Sequence, residues 1–278
     1  MYAMDIDTRK EKIELYKALH RYFGDDPNPS LFSPTSLNAF EDSGTYYLKV
    51  KWVLDKLDAL DLVLCGGAVT SLFTNQPIKD LDFYAVDPEK LYDAKTWLKS
   101  VFKDKEPYES GNAITYGRKS TSGQRVYHVQ LITRFTGVPS EVFEYFDFTV
   151  THGAYDFTNG DFVFGPRFFP DIAKRRLVYS GKSLFPICAL YRTKKYAARG
   201  YTVPGSTMMH IALSIIRLEI KTYGQLKEQL FGIDTMYLQG LLRRDGFKDD
   251  LPVDYAYFIR EAFAAIDGFD AEDEEEED

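Results

Sequence analysis

A pair of glycines followed by two closely spaced aspartates constrains this chain more than any other feature. Residues 61–65 form a short apolar run that ends at Gly66-Gly67, a pattern typical of a buried strand leading into a turn. Residues 68–73 then have the character of a short helix. The backbone N–H groups at such a helix start bind phosphate, and glycine lets a ligand approach the backbone closely. The pattern therefore predicts a phosphate site.

The two aspartates begin a predicted strand over residues 81–86. Alternation places Asp80 and Asp82 on one face. Two adjacent carboxylates repel each other, and a bound Mg²⁺ resolves that repulsion with carboxylate oxygens, waters and substrate phosphates. Thr70 and Ser71 add hydroxyl donors beside the glycines. The alternative is a pair of solvated aspartates that follow an ordinary glycine turn.

A third carboxylate lies later in the chain. Residues 127–132 and 144–150 have the patterns of strands, and Asp147 lies between two phenylalanines in the second. A buried carboxylate is costly without a partner, so we expect Asp147 to complete a metal site and accept a proton from an attacking hydroxyl. The alternatives are an ion pair with a base such as Arg134, or a solvated face. Asp156 precedes an Asn-Gly hairpin and is expected to have a role in the turn.

Together these residues resemble the polymerase-beta-like nucleotidyltransferase superfamily, which includes poly(A) polymerases and tRNA CCA-adding enzymes. The resemblance spans roughly residues 55–200 and implies an α+β fold: a small mixed sheet with helices, followed by a helical domain. It implies two Mg²⁺ ions, with Mn²⁺ as an alternative, bound by three residues: Asp80, Asp82 and Asp147. It also implies an NTP, with ATP or CTP expected, whose phosphates contact the glycine pair. Small-molecule and protein-modifying enzymes, toxins and inactive relatives share this superfamily, so the resemblance indicates the reaction more than the substrate.

A basic segment follows the predicted catalytic region. Residues 174–199 contain eight basic residues and no acidic ones. Three of them share one face of a helix predicted over 186–200: Arg192, Lys195 and Arg199. Aligned cations suit a triphosphate or an RNA backbone, and the pattern loosely resembles the helix after the catalytic domain of tRNA nucleotidyltransferases. The alternative is a solvated face with cations near the helix C-terminus.

Composition limits the remaining choices. The acidic residues of 270–278 number eight and equal the whole net charge of −8, so the rest of the chain is neutral and RNA binding is not excluded. We expect this tail to be disordered, with occupation of a basic cleft as the alternative. Cys65 and Cys188 lie in apolar stretches without metal-ligand spacing and are expected to be reduced, as in a cytoplasmic protein. No signal pattern or long apolar span indicates secretion or membrane insertion.

The sequence predicts four regions: N-terminal helices over 1–60, a nucleotidyltransferase domain over 61–165, a helical domain over 166–268 and an acidic tail over 269–278. Further helices are expected over 8–22, up to residue 60, and over 88–102, 207–221, 226–231, 235–244 and 254–266. A strand near 113–116 and a hairpin over 157–163 are also expected.

These features favour a metal-dependent nucleotidyltransferase that transfers NMP from an NTP to a hydroxyl. An RNA 3′ end, tRNA-like or poly(A), is the leading acceptor because of the basic segment and the helix resemblance. Two alternatives remain: a regulator or toxin that nucleotidylates a protein hydroxyl, and a non-catalytic nucleotide- or RNA-binding protein of the same fold. Neither the preferred NTP nor the oligomeric state is defined by the sequence.

Overall fold

A computed structural model describes residues 7–25, 43–103, 106–119, 126–230, 247–258 and 260. The chain divides into two compact units, Met1–Lys174 and Arg175–Asp278. The first contains the whole described sheet and the second is helical.

The first unit is built on an open, mixed sheet. Its strands are β1 (Leu62–Cys65), β2 (Asp80–Ala85), β3 (Tyr108–Glu109), β4 (Ala113–Lys119), β5 (Val126–Ile132), β6 (Gly153–Asp156) and β7 (Asp161–Phe164). They lie in the order β3-β4-β5-β2-β1-β6-β7. The β2–β5 pair is parallel and every other neighbouring pair is antiparallel. This arrangement, with helices around it and a helical unit after it, confirms the α+β prediction.

Among the described residues, six α-helices accompany this sheet, five on the face of the main core and α5 on the opposite face, where its Val142 is buried. They are α1 (Arg9–Phe23), α2 (Ser43–Ala59), α3 (Gly67–Thr74), α4 (Leu91–Val101), α5 (Pro139–Val142) and α6 (Phe168–Ala173). The apolar stripe of α1, including Leu15 and Leu19, is buried in the main core with Leu81 and Phe83 of β2. A smaller apolar cluster packs on the opposite face around Tyr84 and Phe143. The two faces of β2 are therefore chemically different.

The second unit contains α7 (Pro186–Ala198), α8 (Gly205–Ile216) and α9 (Tyr223–Gln229). Cys188 and Phe247 are fully buried in its own core with Tyr223 and Leu226 of α9. The helix predicted over 207–221 ends at Ile216, and Thr222 caps α9 by accepting a hydrogen bond from the backbone N–H of Gln225. An N-cap residue has an extended, non-helical backbone, as Thr222 does. The preceding helix must therefore end before Thr222.

The prediction of a strand over residues 144–150 is wrong. Short 3-10 helices occupy Phe143–Tyr145 and Thr149–Thr151, and Asp147 lies in the turn between them. Both edges of β1 are already paired, with β2 and β6. Residues 144–150 therefore cannot pair with β1 as a further strand, although their composition favours one.

The other predicted elements within the described residues are confirmed to within a few residues at their ends. The helix predicted over 235–244, most of the one over 254–266 and the acidic tail over 269–278 lie outside the described residues. None of the helices in the described part of the chain has the length and apolar character that crossing a membrane requires.

Candidate active site

The two aspartates of β2 lie on one face of the sheet, as the alternation predicted. Leu81 and Phe83 are fully buried in the main core, whereas Asp80 and Asp82 are each partly exposed on the opposite face. The same strand thus anchors itself with two apolar side chains and places two carboxylates on the opposite face, where the Oδ1 atom of Asp82 is buried.

The glycine pair forms the start of α3. Gly66 has φ +85°, a conformation that a residue with a side chain adopts only with strain. Thr70 makes the backbone bond to Gly66 O at 3.1 Å, so the N–H groups of the residues between them have no earlier carbonyl within the helix. A Cβ added at Gly67 would meet no heavy atom within 4 Å. The helix start is therefore open to an approaching ligand.

The end of β1 and the beginning of β2 are neighbours in the sheet. Leu64 pairs with Phe83 in the antiparallel ladder, so the same register brings Cys65 opposite Asp82. Burial raises the pKa of the Cys65 thiol, and the nearby carboxylates of Asp82 and Asp156 raise it further. The aspartate pair and the open helix start consequently lie at adjoining positions.

Asp147 is buried, with 7 % of its surface exposed. The residue before it, Phe146, lies against the glycine pair, because a Cβ added at Gly66 would be 3.5 Å from its ring. Phe146 also packs against Tyr84 of β2, with ring centroids 5.9 Å apart. The segment that carries Asp147 thus lies on the glycine side of the aspartate pair.

Two buried hydroxyl groups hold this segment in place. Thr70 donates from its hydroxyl to Val150 O at 2.8 Å, which ties α3 to the Asp147 segment. Thr149 donates to the carboxylate of Asp171 at 2.6 Å. The guanidinium of Arg167 donates to both oxygens of the same carboxylate at 2.9 and 2.7 Å, and this hydrogen bonding raises the pKa of Arg167.

The burial of Thr70 and Ser71 limits the access of a phosphate to their hydroxyl groups. The Thr70 hydroxyl already faces a main-chain carbonyl, and both Thr70 and Ser71 are buried at 4 % and 5 % exposure. Phosphate binding by either hydroxyl remains a prediction. The open backbone at Gly67 offers the more accessible contact.

The donor set fits a metal ion that arrives with a nucleotide. Mg²⁺ is usually bound by one or two carboxylates together with substrate phosphates, rather than by a cage made only of protein ligands. Asp80 and Asp82 supply two carboxylates on one face. Among the described residues, no three side chains of His, Cys, Asp or Glu form a group that could hold a metal ion. The place of Asp147 as a third metal ligand therefore stays a prediction.

The sequence patterns missed two residues beside the aspartates. Parallel pairing of β2 with β5 places His128 next to Asp80 and Gln130 next to Asp82. Alternation within 127–132 already puts both side chains on the face opposite the buried Val129 and Leu131. Only the parallel partnership of β2 and β5, which a local pattern does not specify, brings them to the site.

The predicted basic residues lie in the second unit. Arg192 and Lys195 belong to α7, and Arg199 follows its end. Arg199 lies over the ring of Tyr196, with its guanidinium carbon 5.9 Å from the ring centroid. Their contact with a nucleotide or RNA remains a prediction.

Two solved structures are similar to part of this chain. A tRNA-processing enzyme in its apo form is 14 % identical, with a TM-score of 0.47, over 71 % of this chain and 54 % of that one. The CCA-adding enzyme of Thermotoga maritima, solved in complex with tRNA, is 15 % identical, with a TM-score of 0.41, over 72 % of this chain and 51 % of that one.

Sequence comparison gives a more specific relationship. A curated protein of Bacillus phage SPbetaL7, described as Gabija anti-defense 2, is 29 % identical over 196 residues, covering 70 % of this chain and 47 % of the relative. The chain thus spans about half the length of that relative. The sequence model of a protein family, described as Gad2: Gabija anti-defense 2 family protein, matches residues 36–175. That match takes in half of the chain and the whole described sheet, and on this ground the chain belongs to the Gad2 family.

Proposed function

We propose that this protein is a metal-dependent nucleotidyltransferase that transfers NMP from an NTP to a hydroxyl acceptor and releases pyrophosphate. One arrangement supports the proposal: Asp80 and Asp82 share the face of β2 opposite the main core, and the open start of α3 at Gly67 lies at the neighbouring end of β1. Carboxylates for a divalent ion and backbone N–H groups for phosphates are the two requirements of an NTP–metal complex.

Each residue has a defined part in this proposal. Asp80 and Asp82 bind Mg²⁺, and the backbone at Gly66 and Gly67 binds the phosphates. Divalent ions held there would supply activation of the attacking oxygen and neutralisation of charge on the leaving group. Asp147, on the glycine side of the pair, is proposed to complete the metal site.

The basic residues of the second unit are assigned a part in substrate binding. Arg192, Lys195 and Arg199 are proposed to neutralise phosphate charge on the nucleotide or the acceptor. These three side chains should therefore affect binding at low salt more strongly than at high salt, because screening weakens exposed charge interactions.

An RNA 3′ end is the proposed acceptor. The neutral charge of the chain outside its acidic tail permits RNA binding, and the basic segment over 174–199 suits a phosphate backbone. Membership of the Gad2 family suggests the target of this activity: we propose that the transfer acts against the Gabija defence that the family name specifies. Nucleotide addition could then alter an RNA on which that defence depends.

A protein hydroxyl is the second candidate acceptor, and one observation favours it. The phage relative is described as anti-defense, and covalent addition of a charged nucleotide to a defence protein would disrupt its contacts by charge and bulk. A non-catalytic binding protein is the third alternative. It would bind NTP without releasing pyrophosphate.

Pyrophosphate release separates these alternatives. The wild type should release pyrophosphate from NTP in Mg²⁺ with a suitable acceptor, and Asp82→Ala should reduce the rate by at least about a hundredfold, as expected for the loss of a charge-stabilising group. Asp58→Asn, on an exposed position of α2, is the matched control and should retain the rate. Equal release by Asp82→Ala with every acceptor that works for the wild type would contradict the proposal.

A further inference from the structure

A line of side chains crosses the sheet from the aspartate pair to the outer edge. Asp82 pairs with Gln130, Gln130 pairs with Thr115, and Thr115 pairs with Tyr108. Paired residues in adjacent strands project from the same face. Strand spacing makes the distance from β2 to β3 about 14 Å along this line. We call Gln130, Thr115 and Tyr108 the edge row.

Burial confirms the face on which the edge row lies. Its sequence neighbours Val129, Leu131 and Tyr116 are at most 1 % exposed and belong to the main core. Gln130 and Thr115 are partly exposed, and Tyr108 is 58 % exposed. The edge row therefore presents an amide, a hydroxyl and an exposed aromatic ring on the face that carries the carboxylates.

The chemistry of the edge row suits a neutral part of a ligand. None of its three side chains carries a charge, which makes it a poor place for phosphates and a good one for a ribose and a base. Amide and hydroxyl groups can hydrogen-bond sugar hydroxyls and base edges. An exposed tyrosine ring can stack on any base.

The order of the strands indicates which substrate lies there. In a nucleotidyl transfer, the attacking oxygen and the leaving oxygen lie roughly in line on opposite sides of the phosphorus. The glycine pair, which is proposed to bind the phosphates, follows β1, and β1 and β5 flank β2 on opposite sides. The acceptor hydroxyl must then approach from the β5 side, where the edge row begins.

We propose that the edge row binds the 3′-terminal nucleoside of an RNA acceptor, with the base stacked on Tyr108 and the sugar contacted by Gln130 and Thr115. This inference rests on the proposed function, because the in-line argument requires the phosphates at the glycine pair. The 3′ end of the RNA would then enter over the β3 edge of the sheet. A protein acceptor offers no flat base for the exposed ring of Tyr108.

Photochemical cross-linking tests the site without turnover. A short RNA with 4-thiouridine as its 3′-terminal nucleoside is irradiated with the full-length protein, and the same RNA with the label at its 5′ end is the control. Trypsin releases residues 106–118, with Tyr108 and Thr115, and residues 126–134, with Gln130, as separate peptides. The 3′ label should cross-link to these two peptides and the 5′ label should not.

Substitutions then test the contribution of the ring. Tyr108→Ala should raise the Kd for the RNA about tenfold, in line with the loss of one base–aromatic stack, and leave the Kd for NTP unchanged. Tyr92→Ala removes a 76 % exposed tyrosine on α4 and should change neither constant. An unchanged RNA affinity in Tyr108→Ala, or a raised Kd for NTP alone, would overturn the proposal.

The outcomes separate this inference from the function on which it rests. Nucleotide transfer to RNA with 3′ cross-links only in other peptides would overturn the edge-row site and leave the function standing. Cross-links in the two peptides without any transfer would support the site and contradict the function. Labelled nucleotide on protein alone would overturn the RNA site in favour of a protein acceptor.

Discussion

Asp82 lies beside Gln130 in the parallel pairing of β2 with β5. The strand next to the aspartates therefore contributes a neutral amide at this position. An amide adds no repulsion to the aspartate pair and could offer one oxygen ligand to the proposed Mg²⁺. A carboxylate at residue 130 would instead place a further negative charge directly beside Asp82.

The first prediction concerns this position. Gln130→Glu should lower the stability of the metal-free protein by about 0.5–1 kcal/mol, because like charges lie side by side on adjacent strands. Added Mg²⁺ should recover this loss, so the rise in Tm on adding Mg²⁺ should be larger in Gln130→Glu than in the wild type. Gln76→Glu, at an exposed position after α3, is the control. A Mg²⁺ response equal to that of the wild type would show that residue 130 does not face the ion.

The second prediction separates the two glycines. Gly66 needs its positive φ, so Gly66→Ala should cost roughly 1–3 kcal/mol in the free energy of unfolding. Gly67→Ala has room for its Cβ and should leave the fold intact, while its methyl group obstructs the approach of a phosphate. Its Kd for NTP should rise with little change in Tm. Calorimetric titration and thermal melts measure the two effects, and unchanged NTP affinity in Gly67→Ala would contradict the phosphate site.

The third prediction concerns the anchoring of the Asp147 segment. Thr149→Val removes the hydroxyl that donates to the buried Asp171 carboxylate and should destabilise the protein by about 1–2 kcal/mol. The turnover number should fall while the Kd for NTP stays within a factor of two or so. Thr96→Val, which removes an exposed intrahelical hydroxyl contact on α4, is the matched control. Full turnover in a destabilised Thr149→Val would assign the contact to stability alone.

The fourth prediction concerns pH. His152 stacks against Phe143, with ring centroids 5.4 Å apart, and burial lowers its pKa to about 4. The unfolded chain takes up this proton near pH 6.5 and the folded chain only near pH 4. Between these values the unfolded state binds more protons, so stability falls as the pH is lowered.

The expected loss from His152 is about 3 kcal/mol between pH 6.5 and 4, with no further contribution below pH 4. His152→Gln should remove this part of the pH dependence, and His128→Gln, at an exposed position, should retain it. Urea unfolding at a series of pH values measures the difference. Equal pH profiles for the wild type and His152→Gln would show that the imidazole is not kept neutral by burial.

Local patterns in the sequence were sufficient for the central part of the site. The strand before Gly66, the helix after it and the aspartates of β2 are each specified by a few neighbouring residues, through apolar alternation and glycine chemistry. Long-range pairing was not specified in this way. The positions of His128 and Gln130 beside the aspartates depend on β5 lying parallel to β2, which is a property of the whole sheet.

Around Asp147, local composition predicted the wrong backbone conformation. Its phenylalanines and threonines favour a strand by composition, yet the chain makes turns there, with Phe146 N bonded to Phe143 O and Thr151 N bonded to Phe148 O. Partners that are distant in sequence, Thr70 and Asp171, hold those turns in place. The burial of Asp147 was predictable from its neighbours, whereas its backbone conformation was not.

Transfer of label from each α-³²P-labelled NTP tests the central claim most directly. The protein is incubated with Mg²⁺ and a pool of small RNAs, beside the double variant Asp80→Ala/Asp82→Ala. We expect label in RNA with the wild type and none with the variant, because only the intact carboxylates can hold the metal–nucleotide complex. Equal labelling by both proteins, or bound NTP with no label in RNA or protein, would contradict the assignment of a nucleotidyltransferase site to β2 and α3.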